Sequence, residues 1–242
     1  MTPAVRRLLL LSNSTDPEGG YLEWPRAELR DFLGALDGEV LFVPYAGVTM
    51  SWDAYAARVR EALGAAGYRV ASVHEAADPA AAVRRARAIV VGGGNTFHLL
   101  HHLYAHGLLD VIRDRVASGV PYVGWSAGSV VACPTIRTTN DMPIVEPPSL
   151  RALGLLPFQI NAHYTDFHQP GFRGETRAQR LAEFAAANPG VPVLGLPEGT
   201  LLRVEGDDAR VLGAPTSAAC VPVFGGTVAE VGIDEPLGVL LR

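Results

Sequence analysis

The feature that most constrains this chain is an alternation of short, continuously apolar runs with longer segments of helical period. Apolar runs at 7–12, 39–44, 68–73, 88–91, 122–124, 158–161 and 191–196 are too short for helices and read as strands. Ala88-Ile89-Val90-Val91 has no polar alternation at all, as expected of a strand covered on both faces. Between the runs, helical periodicity marks 53–64, 79–87, 96–106, 108–118 and 176–187. In the first of these, Tyr55, Val59 and Leu63 recur every fourth residue on one face. Strands alternating with helices predict a doubly wound α/β domain with a mostly parallel sheet flanked by helices. After Leu196 the pattern changes. Runs 201–204 and 209–212, separated by Glu205-Gly206-Asp207-Asp208, predict an antiparallel hairpin, and 227–231 and 239–241 read as short closing strands. With no repeat and no linker, residues 1–242 are expected to form one domain with a C-terminal antiparallel extension.

Composition narrows the function. A net charge of −5 gives no electrostatic case for nucleic acid. All 20 basic residues are arginine and they are scattered, apart from Arg84-Arg85-Ala86-Arg87 at an expected helix end. Two cysteines, Cys133 and Cys220, make neither a disulfide framework nor a metal-spaced cluster. Arg6-Arg7 followed by Leu8 to Leu11 imitates the start of a signal peptide, but the apolar run is too short and Ser12-Asn13-Ser14 follows directly. A soluble, cytoplasmic protein with no cofactor, no membrane and no nucleic-acid partner is expected, with a homodimer left open.

Four local patterns carry chemistry. Gly124-Trp125-Ser126-Ala127-Gly128 follows an apolar run and precedes a segment that can start a helix before Pro134. A serine on such a sharp strand-to-helix turn is presented without steric cover, and the helix start offers N–H groups to an oxyanion. The plain alternative is a tight glycine turn with a capping serine. Gly92-Gly93-Gly94-Asn95 ends another strand, where backbone amides can face an anion or simply make a tight turn. His163 ends the run at 158–161 and Glu198 follows the run at 191–196, both at the carboxyl edge where open α/β sites form. Each has an ordinary surface reading as well. His98, His101, His102 and His106 have helical spacing, but no carboxylate or cysteine completes a metal set, so a solvated or interface face is expected. The stretch 134–157, with five prolines, is too long for an ordinary connection and reads as functional.

These pieces, in this order, resemble peptidase E, a bacterial aspartyl dipeptidase family. The likeness runs from Leu8 to Gly199 and is densest in Pro44-Tyr-Ala-Gly-Val-Thr49, Val91-Gly-Gly-Gly-Asn-Thr-Phe97, Gly124-Trp-Ser-Ala-Gly128, Ala132-Cys-Pro-Thr-Ile-Arg-Thr-Thr-Asn-Asp-Met-Pro-Ile-Val145 and Gly174-Glu-Thr-Arg177. The resemblance implies a Ser-His-acid peptidase on a fold similar to class I glutamine amidotransferases. It puts Ser126 at the nucleophile and His163 at the base. Glu198 and Asp141 both match positions for the third member; Glu198 is preferred because it follows a strand on the active edge. Ala127 with Gly93 or Gly94 would hold the oxyanion, Asn95 would contact substrate, and Arg177 would bind the substrate aspartate. The 165–174 loop is expected to act as a lid.

The chain departs from the family at Ser129, at Asn161-Ala162-His163 and across the loop at 164–172. Three other readings therefore stand beside the dipeptidase: a cyanophycinase-like or other related serine hydrolase, a general esterase, and a non-catalytic binding module. The order Ser126, His163, Glu198 differs from the Ser, acid, His order of α/β-hydrolases.

Overall fold

The computed structural model describes residues 5–15, 19–165, 167, 170–171, 173–214, 220–225 and 229–241. Its framework is a seven-stranded sheet formed by β1 (Arg7–Leu11), β2 (Val40–Val43), β3 (Val70–Ser72), β4 (Ala88–Val91), β5 (Tyr122–Trp125), β8 (Thr200–Glu205) and β9 (Asp208–Gly213). The order is β3-β2-β4-β5-β1-β8-β9. The first five strands in that order are parallel; β8 and β9 add antiparallel, as the expected hairpin.

The apolar runs are strands because both faces are covered. Alternate residues of β1 enter different cores: Leu8 and Leu10 pack with Ile89, Val91, Leu99 and Ile112. Leu9 and Leu11 pack with Phe32, Phe42, Val59 and Leu63. Helices α1 (Arg26–Leu33) and α2 (Trp52–Gly64) cover the second face. Helices α3 (Pro79–Arg85), α4 (Thr96–Ala105) and α5 (Leu108–Ala117) cover the first. Local chemistry sets their starts: Ser51, Asp78 and Asn95 each accept an N–H of the first turn of α2, α3 and α4. Arg84 and Arg85 fall in the last turn of α3, where cations suit the helix dipole. Among the described residues no helix is long and apolar enough to cross a membrane.

The two strands that lead toward His163 and Glu198 do not join this sheet. β6 (Gln159–Tyr164) and β7 (Val193–Pro197) pair in parallel inside a second, four-stranded sheet of order β11-β10-β7-β6. Antiparallel β10 (Cys220–Phe224) and β11 (Glu230–Gly232) complete it. Ile160, Leu194, Leu196 and Val221 nevertheless share the first core with Leu8 and Leu10, which keeps the two sheets packed together. β11 answers the expected strand at 227–231, of which 227–228 lie outside the described residues. The expected strand at 239–241 is corrected: Gly238–Leu241 is a 3₁₀ turn. Leu240 alone of its side chains is buried, so one turn hides it without a ladder. α7 (Arg177–Ala187) opens with a reciprocal capping box between Thr176 and Gln179.

Candidate active site

β5 carries the chain directly into a four-residue helix, α6 (Ala127–Val130), with Ser126 between them. Ser126 has φ 52° and ψ −114°, a conformation side chains seldom adopt. The turn is tight enough that both flanking glycines are obligatory. A Cβ on Gly124 would lie 2.4 Å from the Gly128 carbonyl oxygen, and one on Gly128 would lie 2.1 Å from that of Val91. The Gly-x-Ser-x-Gly pattern thus reports close backbone approach on both sides of the serine. Ser129, the departure noted in the sequence, ties the turn down from within. Its buried hydroxyl lies 2.7 Å from the Leu11 carbonyl and 2.9 Å from that of Gly124, and the Ser126 N–H also donates to Leu11 O at 3.0 Å.

His163 arrives from the second sheet. It too has positive φ, 54°, and the β6–β7 register slips between Ala162 and Tyr164. Such a bulge re-aims a side chain. Here the imidazole stands between two partners: Nε2 is 2.9 Å from Ser126 Oγ and Nδ1 is 2.6 Å from Glu198 Oε1. An ionised Glu198 can only accept, so Nδ1 carries the proton and the Nε2 lone pair faces the serine hydroxyl.

Asp141 is not part of this line. Its Oδ2 accepts the Thr96 N–H at 2.7 Å, the Thr96 hydroxyl at 2.5 Å and the Thr139 hydroxyl at 3.2 Å. It thereby anchors the long 134–157 stretch to the start of α4. Anion placement there is favourable because the helix N-terminus carries positive partial charge.

Gly93 and Gly94 come to the edge of Ser126, with the Gly93 Cα close enough that an added Cβ would sit 3.0 Å from Ser126 Cβ. Among the described residues their N–H groups and that of Ala127 donate to no acceptor. A chain of hydroxyls fixes this loop. Trp125 Nε1 donates to Tyr55 Oη at 3.0 Å, Tyr21 approaches the same oxygen at 3.3 Å, and Tyr55 donates to the Gly93 carbonyl at 2.9 Å. Burial pushes the pKa of both Tyr21 and Tyr55 up, so both phenols stay protonated donors.

Sequence reasoning saw Tyr55 as a core residue and missed this hydroxyl. It also missed Ser12 and Asn13. Ser12, fully buried, accepts the His163 N–H at 2.9 Å and donates to Leu196 O at 2.8 Å; Asn13 Oδ1 accepts the Gly199 N–H at 3.0 Å. The end of β1 therefore stitches the larger sheet to β6 at His163 and to the turn after β7 that carries Glu198. Two polar side chains directly after four buried leucines were the available signal.

Ser126, His163 and Glu198 open into a cavity of about 680 Å³, also lined by Gly93, Gly94, Asn95 and Arg58. Asn95 caps α4 through Oδ1 while its Nδ2 donates to Met142 O at 2.9 Å. Arg177 does not line this cavity. It lies in a separate pocket of about 200 Å³ with Thr138, Asn140 and Asn161, and its Nη1 is 3.3 Å from Asn161 Oδ1. Of the 165–174 loop expected to form a lid, residues 166, 168, 169 and 172 lie outside the described residues.

The α4 histidines pack rather than converge. His98 Nδ1 is 2.6 Å from Tyr45 O, His98 and His102 approach Nε2 to Nε2 at 3.3 Å, and His102 and His106 lie against Tyr45. Burial and the neighbouring histidines push His102 down to about 4. Buried Cys133 is pushed up to about 12 by its apolar surroundings, which leaves it an inert thiol.

Comparison with known proteins identifies the family. Peptidase E of a Nostoc strain is 49% identical over 211 residues, covering 87% of this chain and 87% of the relative. Peptidase E of a Shewanella baltica strain is 53% identical over 208 residues, covering 85% and 86%. The crystal structure of a peptidase from an acI-B1 actinobacterium superposes with a TM-score of 0.70 at 20% identity, over 97% of this chain and 96% of that one. The profile of peptidase family S51 matches residues 8–212. The chain belongs to peptidase family S51 and is a serine peptidase.

Proposed function

We propose that this peptidase is a cytoplasmic dipeptidase that hydrolyses Asp-Xaa, with Ser126, His163 and Glu198 as its triad. The observation that carries the reading is the imidazole of His163, hydrogen-bonded at once to Ser126 Oγ and Glu198 Oε1. His163 Nε2 takes the hydroxyl proton as Oγ attacks the carbonyl carbon between aspartate and the next residue. The N–H groups of Ala127 and Gly93 or Gly94 stabilise the tetrahedral oxyanion; one such donor contributes about 3–4 kcal/mol. His163 then gives its proton to the departing amine as the C–N bond breaks. Water, deprotonated by the same imidazole, attacks the acyl-serine ester and releases aspartate, returning the proton to Ser126. Glu198 keeps the tautomer and stabilises the imidazolium.

Asn95 contacts the bound peptide, and Arg177 receives the aspartate side chain. Arg177 is half-buried, and burial, with the nearby Arg180, lowers its pKa from the usual guanidinium value. A carboxylate suits its planar fork.

The test is hydrolysis of Asp-Leu, Glu-Leu and Ala-Leu by wild type and Ser126→Ala. Cleavage of Asp-Leu alone, lowered roughly 10⁴–10⁶-fold by Ser126→Ala, is expected. Equal cleavage of all three peptides would remove the aspartate reading, and an active Ser126→Ala protein would remove the serine mechanism.

A further inference from the structure

Arg177 lies outside the cavity that holds Ser126, yet that cavity has an arginine of its own. Arg58 projects from the exposed face of α2 and rests its guanidinium 4.1 Å above the Tyr21 ring. Among the described residues no carboxylate pairs with it. Its seat is connected to the reacting centre: Tyr21 meets Tyr55, and Tyr55 holds the Gly93 carbonyl. Beside it the cavity wall is apolar and open. Val48, Met50 and Ile144 are among the exposed large hydrophobic side chains of the protein, and all three line this cavity.

We propose that Arg58 binds the terminal carboxylate of the dipeptide, with Val48, Met50 and Ile144 receiving the side chain of the leaving residue. This rests on the dipeptidase reading above. An Asp-Xaa substrate carries two carboxylates, one on the acyl residue and one at the end of the leaving residue. They make different demands. Telling aspartate from asparagine or glutamate requires a cation in a confined, partly desolvated place, as Arg177 is. The terminal carboxylate is common to every dipeptide, so its receptor can remain exposed at the cavity mouth, where the product amine must depart. Stacking on Tyr21 holds the guanidinium in place without neutralising it. An arginine at a fixed distance from the Gly93–Gly94 loop also sets length, because a third residue would carry the carboxylate past it.

The experiment compares Asp-Leu with Asp-leucinamide, which lacks the terminal charge, using wild type, Arg58→Met and Arg58→Lys. Wild type is expected to prefer the free acid by about 10- to 100-fold in kcat/KM, mainly through KM, the range of a charge-assisted hydrogen bond. Arg58→Met should bring the rate on Asp-Leu down to that on the amide, and Arg58→Lys should restore part of the preference. A wild type indifferent to the amide, or an Arg58→Met protein that keeps the preference, would overturn the assignment of Arg58 alone. So would an Arg58→Met protein that instead loses its discrimination of Asp-Leu from Asn-Leu. A wild type that cleaves neither Asp peptide would overturn the dipeptidase reading and this assignment with it.

Discussion

The two halves of the site are held by different means. The serine half belongs to the seven-stranded sheet: Gly124, Ala127, Gly128 and Ser129 are buried, and two hydrogen bonds to Leu11 O lock the turn. The histidine half belongs to the four-stranded sheet and is only half-buried, with side chains 40% exposed at His163 and 46% at Glu198. Position on the serine side is over-determined by packing. On the histidine side it depends on a few directed hydrogen bonds, chiefly those of Ser12. Substitutions at the buried residues around Ser126 should therefore register as lost stability, and those in the second half as lost rate.

The largest effect that sharpens this contrast is at the proposed acid. Glu198→Gln should lower kcat about 10²–10⁴-fold with little change in melting temperature, because the amide no longer enforces the Nδ1–H tautomer. Asp141→Asn should do the reverse: a modest rate loss, but about 1 kcal/mol less stability, since Asp141 serves the start of α4. If Asp141→Asn proved the slower enzyme, the roles drawn from the hydrogen bonds would be exchanged.

Next in size is the stitch between halves. Ser12→Ala leaves the His163 N–H without its partner, so a loss of about 1–3 kcal/mol and roughly tenfold in kcat is expected from denaturant titration and steady-state assay. An unchanged rate would show that β6 and β7 position His163 unaided.

The smallest effect lies away from both halves. His102 is pushed down to about 4 in the folded chain from an ordinary 6.5, so the unfolded chain binds the extra proton between those values. Stability should then rise as pH increases from 4 to 6.5 and contribute nothing further above that range. His102→Gln should flatten this part of the melting profile, and an unaltered slope would assign it to other groups.

The same division explains what could be read from the sequence. β1, β2, β4 and β5 were legible because strands covered on both faces leave unbroken apolar runs. β6 and β7 were equally legible as strands, but an apolar run does not say which sheet receives it. α1 is two turns long with three buried residues, too short for its period to stand out. The elbow, His163 and Glu198 were visible through their position after strands. Ser12, Tyr55 and Arg58 were hidden by their types: a serine after a strand, a tyrosine on an apolar face and an arginine on a polar one look ordinary until the fold brings a partner to each.

Ser126 and His163 share one more property: both are non-glycine residues held at positive φ. Such backbone costs of order 1–3 kcal/mol per residue. The protein's durability and its chemistry thus pull in opposite directions at the proposed nucleophile and base. Ser126→Gly should be dead and yet melt higher than the parent. A library screened for heat resistance without an activity check should discard the proposed nucleophile early. Threonine, whose branched side chain tolerates this region worst, should be a poor substitute at Ser126, so on the proposed mechanism the shape of the turn selects serine as much as the hydroxyl does.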